Sequence, residues 1–423
     1  MTIGARLAAA FLGCLVIASA GLCKTAAVDD TSQARIEQRV AETPPAAAAS
    51  VESLAEYLTR SASDEMQKVR AIYTWITQNI SYDVAALASG DPGDQSAATT
   101  LARRKGVCSG YSRLFEALAR AAGIEAVEVI GYSRGSGYAP GKTLGPQPDH
   151  AWTAVKINGN WLLMDCTWAA GYLDASKGFV RRIDDYYFLT PPNRFVYDHL
   201  PEDPKWQLLP EPVAREDFEQ MVYLRPGFFR CGLEVVSHPK IEIVSDGNLT
   251  ITFGGPDDAL LKARAGQPQA SEDAGQTFVQ REGDQIKLNA SFARPGDYTL
   301  RVYAKKRDEP GNYEWAADYL VRVPQVASQP TSYPQVMATF NEVSAKLLSP
   351  LAGKLKSGGE ETFRLTAPGA TSVAVITDGA WTNLEKHGDV WEGKVAVKGE
   401  QVQVAARFPG SQSFYVLLVY GVA

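Results

Sequence analysis

Three residues of the 423-residue chain have the types and order needed for acyl transfer: Cys108, His150 and Asp165. A thiol supplies a nucleophile, an imidazole supplies a general base, and a carboxylate fixes the tautomer and direction of that base. Such a set attacks the carbonyl carbon of an amide, forms a thioester, and passes the acyl group to water or to an amine.

That chemistry requires local structure that holds the three groups together. Asn158-Gly159 stands between two alternating segments, and Asn-Gly is the strongest short signal for a two-residue type I′ hairpin turn. In that register Ile157 pairs with Asn160, Trp152 with Asp165 and His150 with Thr167. His150 and Asp165 are then diagonal neighbours on one face, within side-chain reach. By the same parity Cys166 points to the other face, as packing rather than chemistry. Tyr111, Leu114, Phe115, Leu118 and Ala122 form an apolar stripe at helical spacing that ends at Gly123, so a helix begins at or near Cys108. The open N–H groups and positive dipole end of a helix start favour thiolate over thiol, and the Cys108 N–H is available to an oxyanion. The small neighbours Gly106, Ser109 and Gly110 leave room for substrate.

Each residue also has a plainer reading. A single cysteine at a helix start is usually a small core residue, and a single strand histidine is usually satisfied by packing. The paired carboxylate and the register distinguish this set from those cases. Trp152 and Tyr111 are the candidate substrate-binding residues, with Trp161 and Trp168 as further aromatic candidates for a groove; aromatic pairs in a sheet more often pack. Asp149 reads as a surface or loop residue. The Gly131–Gly145 segment lacks the Lys-Ser/Thr ending of a phosphate loop and reads as a mobile flap beside His150. His199, His238 and His387 are scattered without metal spacing, so no metal and no cofactor is expected, apart from weak calcium binding at the Asp91–Asp94 turn. Asn79, Asn248 and Asn289 each head an Asn-x-Ser/Thr triplet, which matters only in a host that glycosylates exported proteins.

Hydrophobic residues make up 45% and charged residues 21% of the chain, which is globular composition with ample core. A net charge of −6 with no basic cluster excludes nucleic acid as a partner. Residues 1–20 read as a signal peptide: Arg6 is followed by an apolar run from Leu7 to Ala20, too short to span a bilayer. Cleavage after Ala20 gives a secreted or periplasmic protein with no transmembrane anchor, and lipid attachment at Cys23 is the rival reading. Residues 21–50 read as a flexible leader. With Cys14 leaving in the signal, Cys23, Cys108, Cys166 and Cys231 are not expected to form a disulfide framework, because domains of this size do not need one. Helices are expected over 51–60 and 64–80, and β-rich segments over 125–132, 150–157 and 160–167, giving an α+β unit over 51–215. Beyond it lie two all-β modules, 216–325 and 330–423, each closing with a strand pattern after a Pro-Gly turn, at Pro295-Gly296 and Pro409-Gly410. A linker near Pro324–Pro334 separates them.

Gly106-Val107-Cys108-Ser109-Gly110-Tyr111, Asp149-His150-Ala151-Trp152, and Trp161 through Asp165-Cys166-Thr167-Trp168 resemble the three blocks of the transglutaminase-like superfamily, in the order Cys, His, Asp. Asp184 through Pro192, and Pro201 through Leu208, resemble more narrowly its kyphoscoliosis peptidase branch. The resemblance implies a papain-like core followed by immunoglobulin-like sandwich modules, triad roles for Cys108, His150 and Asp165, and protein substrates for a peptidase or glutamine transamidase. Some members of the family lack catalytic residues, so the alternative is a non-catalytic adaptor that binds protein partners at the cell envelope.

Overall fold

The computed structural model describes residues 29–423, except 136, 177, 268–272 and 328. The expected signal segment and Cys23 lie outside the described residues. Within the expected leader, helix α1 (Asp30–Ala41) is ordered: the Asp29 side chain caps it by accepting from Ser32 N, and Ile36 and Val40, one turn apart, are buried. Gln33 accepts from Arg70 Nε at 2.9 Å, fixing α1 to the core. The flexible reading of 21–50 is therefore corrected over this stretch, because an i, i+4 apolar pair with a capping Asp was hidden among Ala and Pro.

Helices α2 (Val51–Thr59) and α3 (Glu65–Asn79) follow, then α4 (Val84–Ser89), α5 (Ala97–Arg103) and α6 (Cys108–Ala121). Helix α3 buries Ala71 through Thr77 without a break and is the central helix of the unit. Two short strands, β1 (Ser81–Tyr82) and β2 (Lys105–Gly106), pair in parallel and set Tyr82 against Gly106, two residues before Cys108. The antiparallel sheet contains β3 (Ala126–Ser133), β4 (His150–Ile157) and β5 (Asn160–Met164). After it come the five-residue helix α7 (Cys166–Ala170), a ribbon of β6 (Gly171–Asp174) and β7 (Gly178–Arg181), and β8 (His199–Pro201), which returns to give the sheet order β5-β4-β3-β8.

Asn158 and Gly159 take φ of 52° and 81°, as a type I′ turn demands, and Ile157 pairs with Asn160. The ladder runs only to Thr153 opposite Met164. The strand expected over 160–167 stops there, because the Asp165 side chain accepts from Thr167 N and Trp168 N and starts α7. Neither Trp152–Asp165 nor His150–Thr167 is a ladder pair.

Two all-β modules follow. The first is a nine-stranded sheet that includes Tyr223–Leu224 and runs to Glu314–Val323, wrapped around Ile251, Leu288, Leu300 and Tyr319. The second packs a six-stranded and a four-stranded sheet across Phe363, Val404, Leu418 and Tyr420. Full burial of side chains of this size contributes about 1.5–3 kcal/mol each. Among the described residues no helix is long and apolar enough to cross a membrane.

Candidate functional site

Each expected residue sits at the end of an element. Cys108 is the first residue of α6, where Val107 has no side-chain cap, and its side chain is partly exposed. His150 opens β4 and Asp165 caps α7. His150 Nε2 donates to Asp165 Oδ2 at 2.7 Å. Burial works against a charge on His150, yet Asp165, and after it a hydrogen bond and charge interaction with Cys108, outweigh it and raise the imidazole from its ordinary 6.5 to about 10. Burial also penalises the Asp165 carboxylate, but His150 and then His199 hold it well below the usual carboxylate range.

His199, read from sequence as scattered, belongs here. Its Nε2 donates to the same Asp165 Oδ2 at 3.1 Å, while Nδ1 lies 2.6 Å from Asp198 Oδ1. It arrives on β8, which pairs with β3 at Ser133. Nothing periodic marks β8; the adjacent Asp198-His199 pair is a signal that could have found it.

The two residues expected to bind substrate are sealed in the core. Trp152 and Tyr111 are each 1% exposed, and the Tyr111 hydroxyl donates to Ile80 O at 2.7 Å. Their expected role is corrected to packing: Trp152 faces inward from β4, and Tyr111 lies on the buried stripe of α6. Trp168 is partly exposed and stacks on His150, with ring centroids 5.1 Å apart, so it is the aromatic at the site. Trp161 packs edge-on against Trp206, away from the site. Tyr82 adjoins it: burial, then charges at Cys108 and Asp165, push its phenol up, so it stays a neutral hydrogen-bond donor. Sequence reading missed it because two-residue β1 carries no pattern.

The expected mobile flap is tied down. Asp149 Oδ1 accepts from Ser133 N at 2.8 Å, Leu144 N donates to Glu219 at 3.1 Å, and Arg215 donates to Gly145 O at 2.6 Å. Arg134 is fully buried and donates to the carbonyls of Phe218 and Met221. Asp149 is thus a clamp for this loop. Cys166 is buried as expected, but as the first residue of α7 and not through strand parity, and burial raises its thiol; Cys108, Cys166 and Cys231 are all free.

Among the described residues, His150, Asp165 and His199 are the one group placed to hold a metal ion, their ligand atoms lying within 4.8 Å of one another. Both Nε2 atoms lie within hydrogen-bond distance of Oδ2, so a metal held there would replace those contacts and need both nitrogens deprotonated.

Residues 52–166 belong to the transglutaminase-like superfamily, whose model they match, and residues 215–334 match the KY-like, immunoglobulin-like domain. The architecture is an α+β papain-like core followed by immunoglobulin-like β modules. The chain is homologous to kyphoscoliosis peptidase. It is 25% identical to the human protein over 86% of this chain and 73% of that one, and 33% identical to the mouse protein over 60% of this chain and 38% of that one. It is also similar to hillarin of Drosophila melanogaster, at 30% identity over 48% of this chain and 27% of that one.

Proposed function

We propose that the protein is a cysteine-nucleophile enzyme acting on protein or peptide amides, with Cys108 as nucleophile, His150 as general base and acid, and Asp165 as the group that orients it. The observation that supports this reading is the buried His150–Asp165 pair at 2.7 Å, with Cys108 at the open start of α6 contributing, after Asp165, to favouring the charged imidazole. In this mechanism the Cys108 sulfur attacks the amide carbon, His150 delivers its proton to the leaving amine, and the thioester forms. The acceptor is then water or an amine, with His150 taking the acceptor's proton. In this reading the Cys108 N–H at the helix start and the neutral Tyr82 phenol are the candidate donors for the developing oxyanion. Asp165 Oδ1 is committed to the α7 backbone and Oδ2 to the imidazoles, so the carboxylate has no freedom to swing away. The name peptidase carried by the human and mouse relatives favours hydrolysis.

Incubation with a glutamine-containing peptide, with and without a primary amine, tests this. Release of ammonia or peptide cleavage that disappears in Cys108→Ala supports the reading, and incorporation of the amine assigns transamidation. No turnover, together with a Cys108 that alkylates no faster than Cys231, rejects it.

A further inference from the structure

Asp165 receives four donors. Oδ1 accepts from Thr167 N at 2.7 Å and Trp168 N at 3.1 Å, and Oδ2 accepts from His150 at 2.7 Å and His199 at 3.1 Å. Only one imidazole is required for the triad chemistry above. The second is fully buried, stacked on Phe195 at 4.0 Å and tilted against Trp168 at 4.4 Å, a setting in which an unpaired ring N–H would be costly. Behind it a closed circuit runs through the fold: His199 Nδ1 to Asp198 Oδ1, Tyr187 hydroxyl to Asp198 Oδ2 at 3.2 Å, and Asp165 N to Tyr187 O at 3.0 Å. The circuit returns to the carboxylate from which it starts, so the position of Asp165 is set by β8 as well as by α7.

We infer that His199 is a positioning residue for the triad, fixing the Asp165 carboxylate against His150 through a ring that Asp198 and Tyr187 hold from behind. This rests on the nucleophile reading of Cys108. A carboxylate oxygen shared by two N–H groups has less room to tilt than one held by a single imidazole, and misplacement of such a group by a fraction of a bond length carries into the base and the sulfur. The groups facing His199 are Asp165, Asp198 and the tilted His150 ring, with Phe195, Trp152, Trp168 and Tyr187 as walls. Asp198 in turn faces Tyr187 and, electrostatically, Arg225.

The test is the rate of Cys108 alkylation by iodoacetamide from pH 5 to 10 in the full chain, for wild type, His150→Gln, His199→Leu and His199→Gln. His199→Leu is expected to slow the reaction about tenfold near neutral pH and to move its profile toward that of His150→Gln. His199→Gln, which keeps an N–H for Asp165 Oδ2, is expected to stay within about threefold of wild type. A folded His199→Leu protein with the wild-type rate and profile overturns the inference, as does an equal loss in Leu and Gln variants, which would mean packing alone. If His199→Leu does not fold, Asp198→Asn keeps the shape and removes the charge behind the ring; an unchanged profile in that variant overturns the inference. A wild type no faster than His150→Gln removes the nucleophile reading itself, and the positioning role with it.

Discussion

Asp165 in the α+β core and Asp318 in the first β module are both sealed from solvent, and their carboxyls shift in opposite directions. Burial raises both. At Asp318 burial prevails over a bidentate Arg301, at 2.8 Å on each oxygen, and the Trp315 indole at 2.9 Å. At Asp165 two imidazoles with 6% and 0% exposed side chains reverse it. Arg301 keeps 38% of its side chain in solvent, so water screens its charge, whereas His150 and His199 lie almost wholly out of water and are not screened in that way. The two buried carboxylates thus differ in how dry their partners are: those of Asp165 are sealed, while Asp318 shares its partner with water.

The sharpest break of that contrast is Asp165→Asn. Asparagine can still cap α7 through Oδ1, but its NH2 would face His150 Nε2–H, forcing the ring into the tautomer that points a proton at Cys108. Turnover is expected to fall about 10³–10⁴-fold with the fold intact, as for the equivalent change in a serine triad; steady-state kinetics beside circular dichroism checks it.

Next is Gly131→Ala. A Cβ there would lie 2.2 Å from Leu200 O and 2.6 Å from the Trp152 ring, so β8 must move away from β3 and carry His199 with it. Stability is expected to drop by about 2–4 kcal/mol in urea denaturation, with Cys108 alkylation slowed in parallel.

The third concerns pH. The raised His150 value means that its contribution to stability is fully present below its unfolded 6.5 and is lost as pH climbs through about 10. The urea midpoint should therefore fall between pH 7 and 10 in wild type and flatten in His150→Gln. The Asp165 contribution runs the other way, being lost as pH falls below the ordinary carboxylate range.

Asp318→Asn is expected to have the smallest effect, about 1 kcal/mol at neutral pH, because the ionised carboxylate is already disfavoured by burial and the freed Arg301 keeps its solvent. Glutamine-peptide turnover should be unchanged. A large loss of turnover would break the comparison by tying the module's buried ion pair to the site.

Much of the core was legible because short-range chemistry governs it. The Asn158-Gly159 turn fixed the β4–β5 register as far as Thr153 opposite Met164, one residue short of Asp165, and the apolar stripe fixed α6 behind Cys108. What escaped was set by long-range pairing or by caps. Helix α7 is too short for a period, and its start depends on an Asp that also serves the imidazoles. His199 stands 34 residues beyond Asp165 and reaches it only because β8 pairs with β3. Trp152 and Tyr111 were misread because proximity in sequence to a reactive residue says nothing about which side of the sheet or helix faces water.

The most direct measurement of the central claim is the mass of the intact protein after brief exposure to a glutamine-containing peptide followed by an acid quench. A peptide adduct lacking the mass of ammonia, located on Cys108, released by hydroxylamine and absent in both Cys108→Ala and His150→Gln, is the expected result. A protein that never acquires this adduct while alkylating at Cys108 at the same rate with and without His150 would contradict it.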